Sequence, residues 1–285
     1  MLVQNPNRTP TTVKLSYMTD QGPRSGPQVV IPACARHTFE VARDVPGFWG
    51  VSTKVQADLP VVAERSVLTS TDATGSIGAT LPATQWFIPE GSTGPGMQTW
   101  ILIQNPTYPE AHVRVDYMTP KGPIAGPSFT IASAARKTIN VADTVNNVWS
   151  VSTLVTSDIP VIAESSMYGN NKTWATDSIG VTTPSRTWDV PEGSTGPGME
   201  TWLTVQNPGS ETAAVSIYYM TPSGPVKGTA LKMSPFSRQT FFEADCVPNC
   251  WEVSAVVTSD KEIVVSRATY GNNRTWGTES IGFAR

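Results

Sequence analysis

From Trp100 to Ser165 the apolar positions come in short bursts cut by turn residues. Trp100-Ile101-Leu102-Ile103-Gln104 is apolar and stops at Asn105-Pro106, a turn signal. Ala111-His112-Val113-Arg114-Val115-Asp116-Tyr117-Met118 alternates with period two, the pattern of a half-buried strand. Thr119-Pro120-Lys121-Gly122-Pro123 places Pro and Gly where a tight turn wants them. Short strands follow at Ser128–Ile131, Lys137–Val141, Trp149–Val155 and Ile159–Ser165, the last with a Pro near its start. No stretch of ten residues carries helical periodicity. Seven or so short strands between frequent turns predict an antiparallel β-sandwich of the immunoglobulin-like kind. Val151, Val155, Val161 and Ala163 should point inward, and so should Val51, Val55, Val61 and Ala63.

That second set exists because the pattern repeats. Gln4-Asn5-Pro6 returns as Gln104-Asn105-Pro106 and Gln206-Asn207-Pro208. Tyr17-Met18-Thr19 returns at Tyr117 and Tyr219, and Ser76-Ile77-Gly78 at Ser178 and Ser280. The offsets are about 100 between the first two copies and 102 between the last two. Three tandem modules of about a hundred residues result, at 1–82, 83–184 and 185–285. A lead element, Trp86-Phe87-Ile88-Pro89-Glu90-Gly91-Ser92-Thr93-Gly94-Pro95-Gly96, opens the second module and recurs from Trp188 in the third. Leu2 aligns with Leu102, and the first module is expected to have no such element.

Composition narrows the function. Charged residues make up only 15% and the net charge is −3, without a Lys/Arg cluster, so a nucleic-acid partner is not expected. No apolar run is long enough to span a membrane. The two histidines, His37 and His112, are not repeated between modules. No catalytic residue, metal site or cofactor is therefore expected.

The series W-x-x-P-E-G-S-T-G, T-W-I-L-I-Q-N-P, Y-M-T-x-x-G-P and V-S-T-x-V-x-S-D-x-P-V-x-A-E resembles a repeat of large secreted or surface proteins of actinobacteria and related bacteria. The resemblance covers nearly the whole chain and implies an extracellular or cell-surface location, but no activity. In layout the module also resembles the sensory-rhodopsin transducer family, which implies an oligomerising β-sandwich.

Four groups of residues carry candidate chemistry. Glu64 and Glu164 lie on apolar strands and need partners, for which Arg36 and Arg136 are the expected structural ions. A paired-carboxylate glycosidase site is the sharper alternative, but the third module has Ser266 at this position. The Glu-Gly-Ser-Thr-Gly-Pro-Gly loops are expected to be shaped turns, with a bound calcium as the alternative. Trp49, Trp149 and Trp251 are expected to pack the core or cover a sheet edge. Tyr168, Asn170, Asn171 and Trp174, with Tyr270, Asn272, Asn273 and Trp276, form loops suited to stacking on a sugar. Cys246 and Cys250 are expected to form a local disulfide. The expected role is that of a non-enzymatic structural or adhesive surface protein that associates with itself or with other surface proteins. A carbohydrate-binding array is the alternative.

Overall fold

The computed structural model describes residues 1–68 and 72–285, and it is all-β. The third repeat shows the plan. Ser254–Gly271 is one 18-residue strand that runs through two sheets. Its first half pairs with Ala213–Thr221 and with the lead strand Ser185–Val190. Its second half pairs with Met199–Asn207 and Trp276–Ile281. Gly224–Met233 and Ser237–Phe242 close the outer edges. Side chains between the two sheets form the core, with Leu203, Val205, Val215, Val257 and Val265 buried. The second repeat uses Ser152–Gly169 in the same way, flanked by Ala111–Thr119, the lead strand Ala83–Ile88, Gln98–Asn105 and Trp174–Ile179. Helical structure among the described residues is one short α-helix, Val41–Asp44, and three 3-10 turns.

The repeated motifs have local reasons. In Ala111–Thr119, Ala111, Val113, Val115 and Tyr117 are buried while His112 and Arg114 face out, and the alternation ends at Met118 and Thr119, which are buried as well. Asn105 of the Gln-Asn-Pro motif is fully buried. Its Nδ2 donates to the carbonyls of Pro109 (3.0 Å) and Ile131 (3.1 Å), and its Oδ1 accepts from Thr107 N–H (3.1 Å). One side chain thus staples three chain segments whose backbone groups need partners inside the protein. Asn5 and Asn207 do the same. Thr119 Oγ1 bonds the carbonyl of Gly122 (3.0 Å), and Gly122 has a φ of 113° that side chains rarely adopt.

The lead element fills a slot. Trp86 is buried and its Nε1 donates to Val161 O (2.7 Å). Trp188 repeats the contact with Ile263 O (2.9 Å). Val151 N–H then donates to Gly91 O (3.0 Å), and Thr93 Oγ1 to Val145 O (2.6 Å). The loop is a shaped turn held by its own hydroxyls, with Thr99 Oγ1 bridging Ser92 N–H (2.8 Å) and Ser92 O (2.8 Å).

The first repeat lacks this strand, and its packing shows the consequence. Val151, Val155, Val161 and Ala163 are buried as expected. Val51, Val55, Val61 and Ala63 are only partly buried, and no lead strand among the described residues covers that side. Ser52–Ala57 pairs on one edge with Thr11–Thr19, and among the described residues nothing pairs with its other edge. An open edge accepts an added strand. A synthetic peptide of residues 83–97 is therefore expected to slow amide exchange in Ser52–Ala57 and raise the unfolding midpoint of the chain. The same peptide with Trp86→Ala should do neither. Equal effects from both peptides would mean that the slot is not the binding site.

Candidate functional site: the polar seam between repeats

Strands Ala73–Ile77, Trp174–Ile179 and Trp276–Ile281 come from successive repeats and lie side by side. The middle one touches both neighbours. Ala135–Asn140 of the second repeat packs on Thr11–Thr19 and Gly22–Ile31 of the first, and Ser237–Phe242 of the third packs on the corresponding pair of the second. The two junctions use equivalent atoms. Gln104 Nε2 approaches Met18 Sδ (3.0 Å) across the first, and Gln206 Nε2 approaches Met118 Sδ (3.5 Å) across the second.

Charged groups are drawn into both junctions. Across the first, Arg65 bridges Glu164 (2.6 Å) and Asp177 (2.9 Å), and Ala175 N–H donates to Asp72 Oδ2 (2.8 Å). Across the second, the Arg238 guanidinium meets Glu90 (2.7 Å), Thr204 Oγ1 (2.9 Å) and Pro89 O (3.2 Å), while the Thr204 hydroxyl donates to Glu90. Arg238 is 1% exposed and Glu90 7%. Trp174 Nε1 donates to Arg274 O (2.8 Å), and its ring lies 5.5 Å from that of Tyr270.

Burial dominates the electrostatics. It pushes the Glu164 carboxyl up, against the opposing pull of Arg65. It raises Glu279 well above the carboxylate range, helped by the charges of Glu90 and Asp177. Burial raises Glu243 to about 8, because the nearby Arg267 offsets desolvation only in part. Both Glu243 oxygens lack a hydrogen-bond partner. Asp177 and Glu90 are nearly closed off from solvent, at 3% and 7% exposed, while Glu164 keeps 19% of its side chain exposed. The surface depressions lined by His112, Arg114 and Asp158 and by Thr12, Lys14 and Asp58 lie elsewhere, on the outer sheets. The seam contacts join each repeat to the next.

Several expected placements need correction. Glu64 and Arg36 are exposed and form no ion pair among the described residues; Arg36 bonds Thr38 (3.0 Å) instead. Glu164 pairs with Arg65 of the preceding repeat rather than with Arg136, because its strand faces the junction. Arg136 is buried, bonded to Thr138 (2.7 Å), and its Nε has no partner. Trp49, Trp149 and Trp251 are not core residues: they are 105%, 53% and 61% exposed. Trp149 and Trp251 lie flat over Gly94 and Gly196, where an added Cβ would come within 2.6 and 2.5 Å of the ring; this is why those loop positions are glycine. Trp174 and Tyr270 are buried in the second junction, so their faces are not open to a sugar. Tyr168 and Trp276 are half-buried. Asn170, Asn171, Asn272 and Asn273 are exposed and take left-handed φ values of 47–57°, a turn that asparagine tolerates. Cys246 and Cys250 are free thiols. Cys250 Sγ turns to Glu252 O (3.3 Å), and its N–H is held by Thr195 Oγ1 (3.0 Å).

No family model matches the chain, and no curated protein matches it. The crystal structure of Thermotoga maritima 1070 matches 36% of this chain and 97% of its own, at 23% identity and a TM-score of 0.34. The Anabaena sensory rhodopsin transducer matches over 30% and 98%, at 22% identity and a TM-score of 0.27. A GH2 β-galacturonidase from Eisenbergiella tayi matches over 99% and 42%, at 10% identity and a TM-score of 0.21. Likenesses this loose carry no conclusion about fold or activity. No helix among the described residues is long and apolar enough to cross a membrane.

Proposed function

We propose that this chain is a non-enzymatic structural protein of the cell surface or extracellular space, a single rigid body whose repeats are locked to one another through the polar seam. The observation that supports it most is the Glu90–Arg238 pair, which joins groups 148 residues apart in the interior of a junction. Its buried charges are matched to each other through Glu90 Oε2 and Arg238 Nη2, while Arg238 Nη1 has no hydrogen-bond partner. A linker between independent domains needs no such pair. A rigid spacer does, because buried polar groups that find partners in only one arrangement fix that arrangement. Small-angle X-ray scattering of the dilute chain tests this reading: a single fixed arrangement of the repeats supports it, and repeats moving independently overturn it.

A second reading has its own observation. Trp49, Trp149 and Trp251 stand exposed at equivalent places in all three repeats. Large exposed aromatics at regular spacing suit a linear polysaccharide. Titrating the chain with soluble β-glucan, xylan and chitin oligomers should then quench tryptophan fluorescence. The triple variant Trp49→Ala, Trp149→Ala, Trp251→Ala should lose that response. Quenching that survives the triple variant would place the sugar elsewhere, and no quenching by any polymer would end this reading.

A further inference from the structure

Trp174–Ile179 and Trp276–Ile281 lie side by side at the second junction, as Ala73–Ile77 and Trp174–Ile179 do at the first. Cross-strand register fixes which residues correspond. Arg65 lies opposite Ser76, Ser165 opposite Ser178, and Arg267 opposite Ser280. One step along, Ser66 lies opposite Gly75, Ser166 opposite Asp177, and Ala268 opposite Glu279. Gly75, Asp177 and Glu279 are therefore one position. In the second and third repeats it is turned towards the repeat before.

At the first junction this position is satisfied. Asp177 is 3% exposed, Arg65 of the first repeat reaches it at 2.9 Å, and the hydroxyl of its cross-strand neighbour Ser166 donates to it. At the second junction both partners have been replaced. Ser165 stands in the place of Arg65 and Ala268 in the place of Ser166, and both are buried. Glu279 is itself 9% exposed, and neither of its oxygens has a hydrogen-bond partner among the described residues. Glu90 of the lead loop, Asp177 of the adjacent strand, Arg238 of Ser237–Phe242 and Tyr270 of Ser254–Gly271 face it. Arg238 is already bound to Glu90, and Asp177 to Arg65. Two buried carboxyls, Glu90 and Glu279, thus share one guanidinium. Among the described residues no three acidic, His or Cys side chains are placed to hold a metal ion. An ionised Glu279 would be a buried charge with neither a cation nor a donor of its own, whereas the protonated acid is neutral and brings its own donor. Burial pushes its ionisation well above the ordinary 4.5, Glu90 and Asp177 push the same way, and Arg238 and the Ser178 hydroxyl oppose them only in part.

We propose that the second junction is a proton-gated latch: it stays closed while Glu279 carries a proton, and it opens between Trp174–Ile179 and Trp276–Ile281 as that proton leaves. The first junction has no such gate, because Arg65 holds Asp177 as an ion pair. The inference rests on the fixed arrangement of repeats proposed above and adds the condition that releases one of its contacts.

Hydrogen exchange of tryptophan indoles, followed by NMR on the full chain, tests it. Trp174 Nε1–H bonds Arg274 O across this junction (2.8 Å), and its ring packs on Tyr270. Trp86 Nε1–H bonds Val161 O inside the second repeat (2.7 Å) and is the control. Trp174→Phe and Trp86→Phe assign the two signals. In the open form Glu279 meets water and ionises near its ordinary 4.5. Below that value both forms are protonated and protection is constant. Above it the open form gains as pH rises. The protection of Trp174, relative to free indole at each pH, should then fall by up to about tenfold per pH unit until the closed form ionises too. Trp86 should change less. Glu243 titrates in the wild type and in the variants alike, so their difference isolates Glu279. In Glu279→Gln the Trp174 profile should follow that of Trp86. Glu279→Ala also leaves nothing to titrate and gives the same reading if the glutamine variant does not fold. A wild-type Trp174 profile that already follows Trp86 overturns the gate, as does a fall that persists in the variants. Protection that differs between sodium, potassium and tetramethylammonium chloride at equal ionic strength would put a metal ion in place of the proton and overturn it as well. A Trp174 without protection at any pH would overturn the fixed arrangement along with the gate, whereas the other contrary results leave that arrangement standing.

Discussion

Glu90→Ala is expected to destabilise the chain by about 3–5 kcal/mol, the usual consequence of leaving a buried charge without its partner. Arg238 is 1% exposed, and its Nη2 would keep only the Thr204 hydroxyl. Burial alone already disfavours its charged form. Urea unfolding followed by circular dichroism reads the effect. Glu90→Leu combined with Arg238→Met should recover most of the loss, since a well-packed apolar pair can replace a buried ion pair. A change below about 1 kcal/mol in Glu90→Ala would mean that the pair is solvated and the junction loose.

Glu243→Val should act in the opposite direction. The corresponding residues are Val41 and Val141, the latter fully buried, so the site is built for an apolar side chain. The folded carboxyl ionises near 8 instead of its ordinary 4.5. Between those values the folded state holds a proton that the unfolded state has released, so stability falls as pH rises through that window. Below 4.5 both states are protonated and the penalty is absent; above 8 it is fully present. Thermal melts at pH 5 and pH 8.5 should therefore differ in the wild type by more than in Glu243→Val. At pH 8.5 the variant should be more stable by roughly 2–4 kcal/mol, in the range for a buried polar group without partners. A variant whose stability gain is the same at both pH values would contradict the assignment.

Much of the fold was legible in the residues. Period-two alternation placed Ala111–Thr119, and Gln-Asn-Pro and Tyr-Met-Thr marked the staple and turn that the structure shows. The exposure of Trp49, Trp149 and Trp251 was not legible, because an aromatic lid over glycine and a core aromatic leave the same letters in a sequence. The seam was hidden for a different reason. Arg65–Glu164 and Glu90–Arg238 join residues 99 and 148 positions apart, and nothing local marks such a partner. One signal was available. Gly75, Asp177 and Glu279 occupy one place in the three repeats, as do Val41, Val141 and Glu243. A position that gains charge between otherwise similar copies has changed its surroundings, and the surroundings of a repeat are its neighbours.

The central claim, that the repeats form one rigid row, is tested most directly by small-angle X-ray scattering of the dilute chain. The profile should match that of the single arrangement described here. The radius of gyration should exceed the value of about 19 Å for a compact globule of this length, and it should not change with salt, because the seam charges are buried. A profile that can be fitted only by an ensemble of repeats moving independently on flexible connections would contradict it.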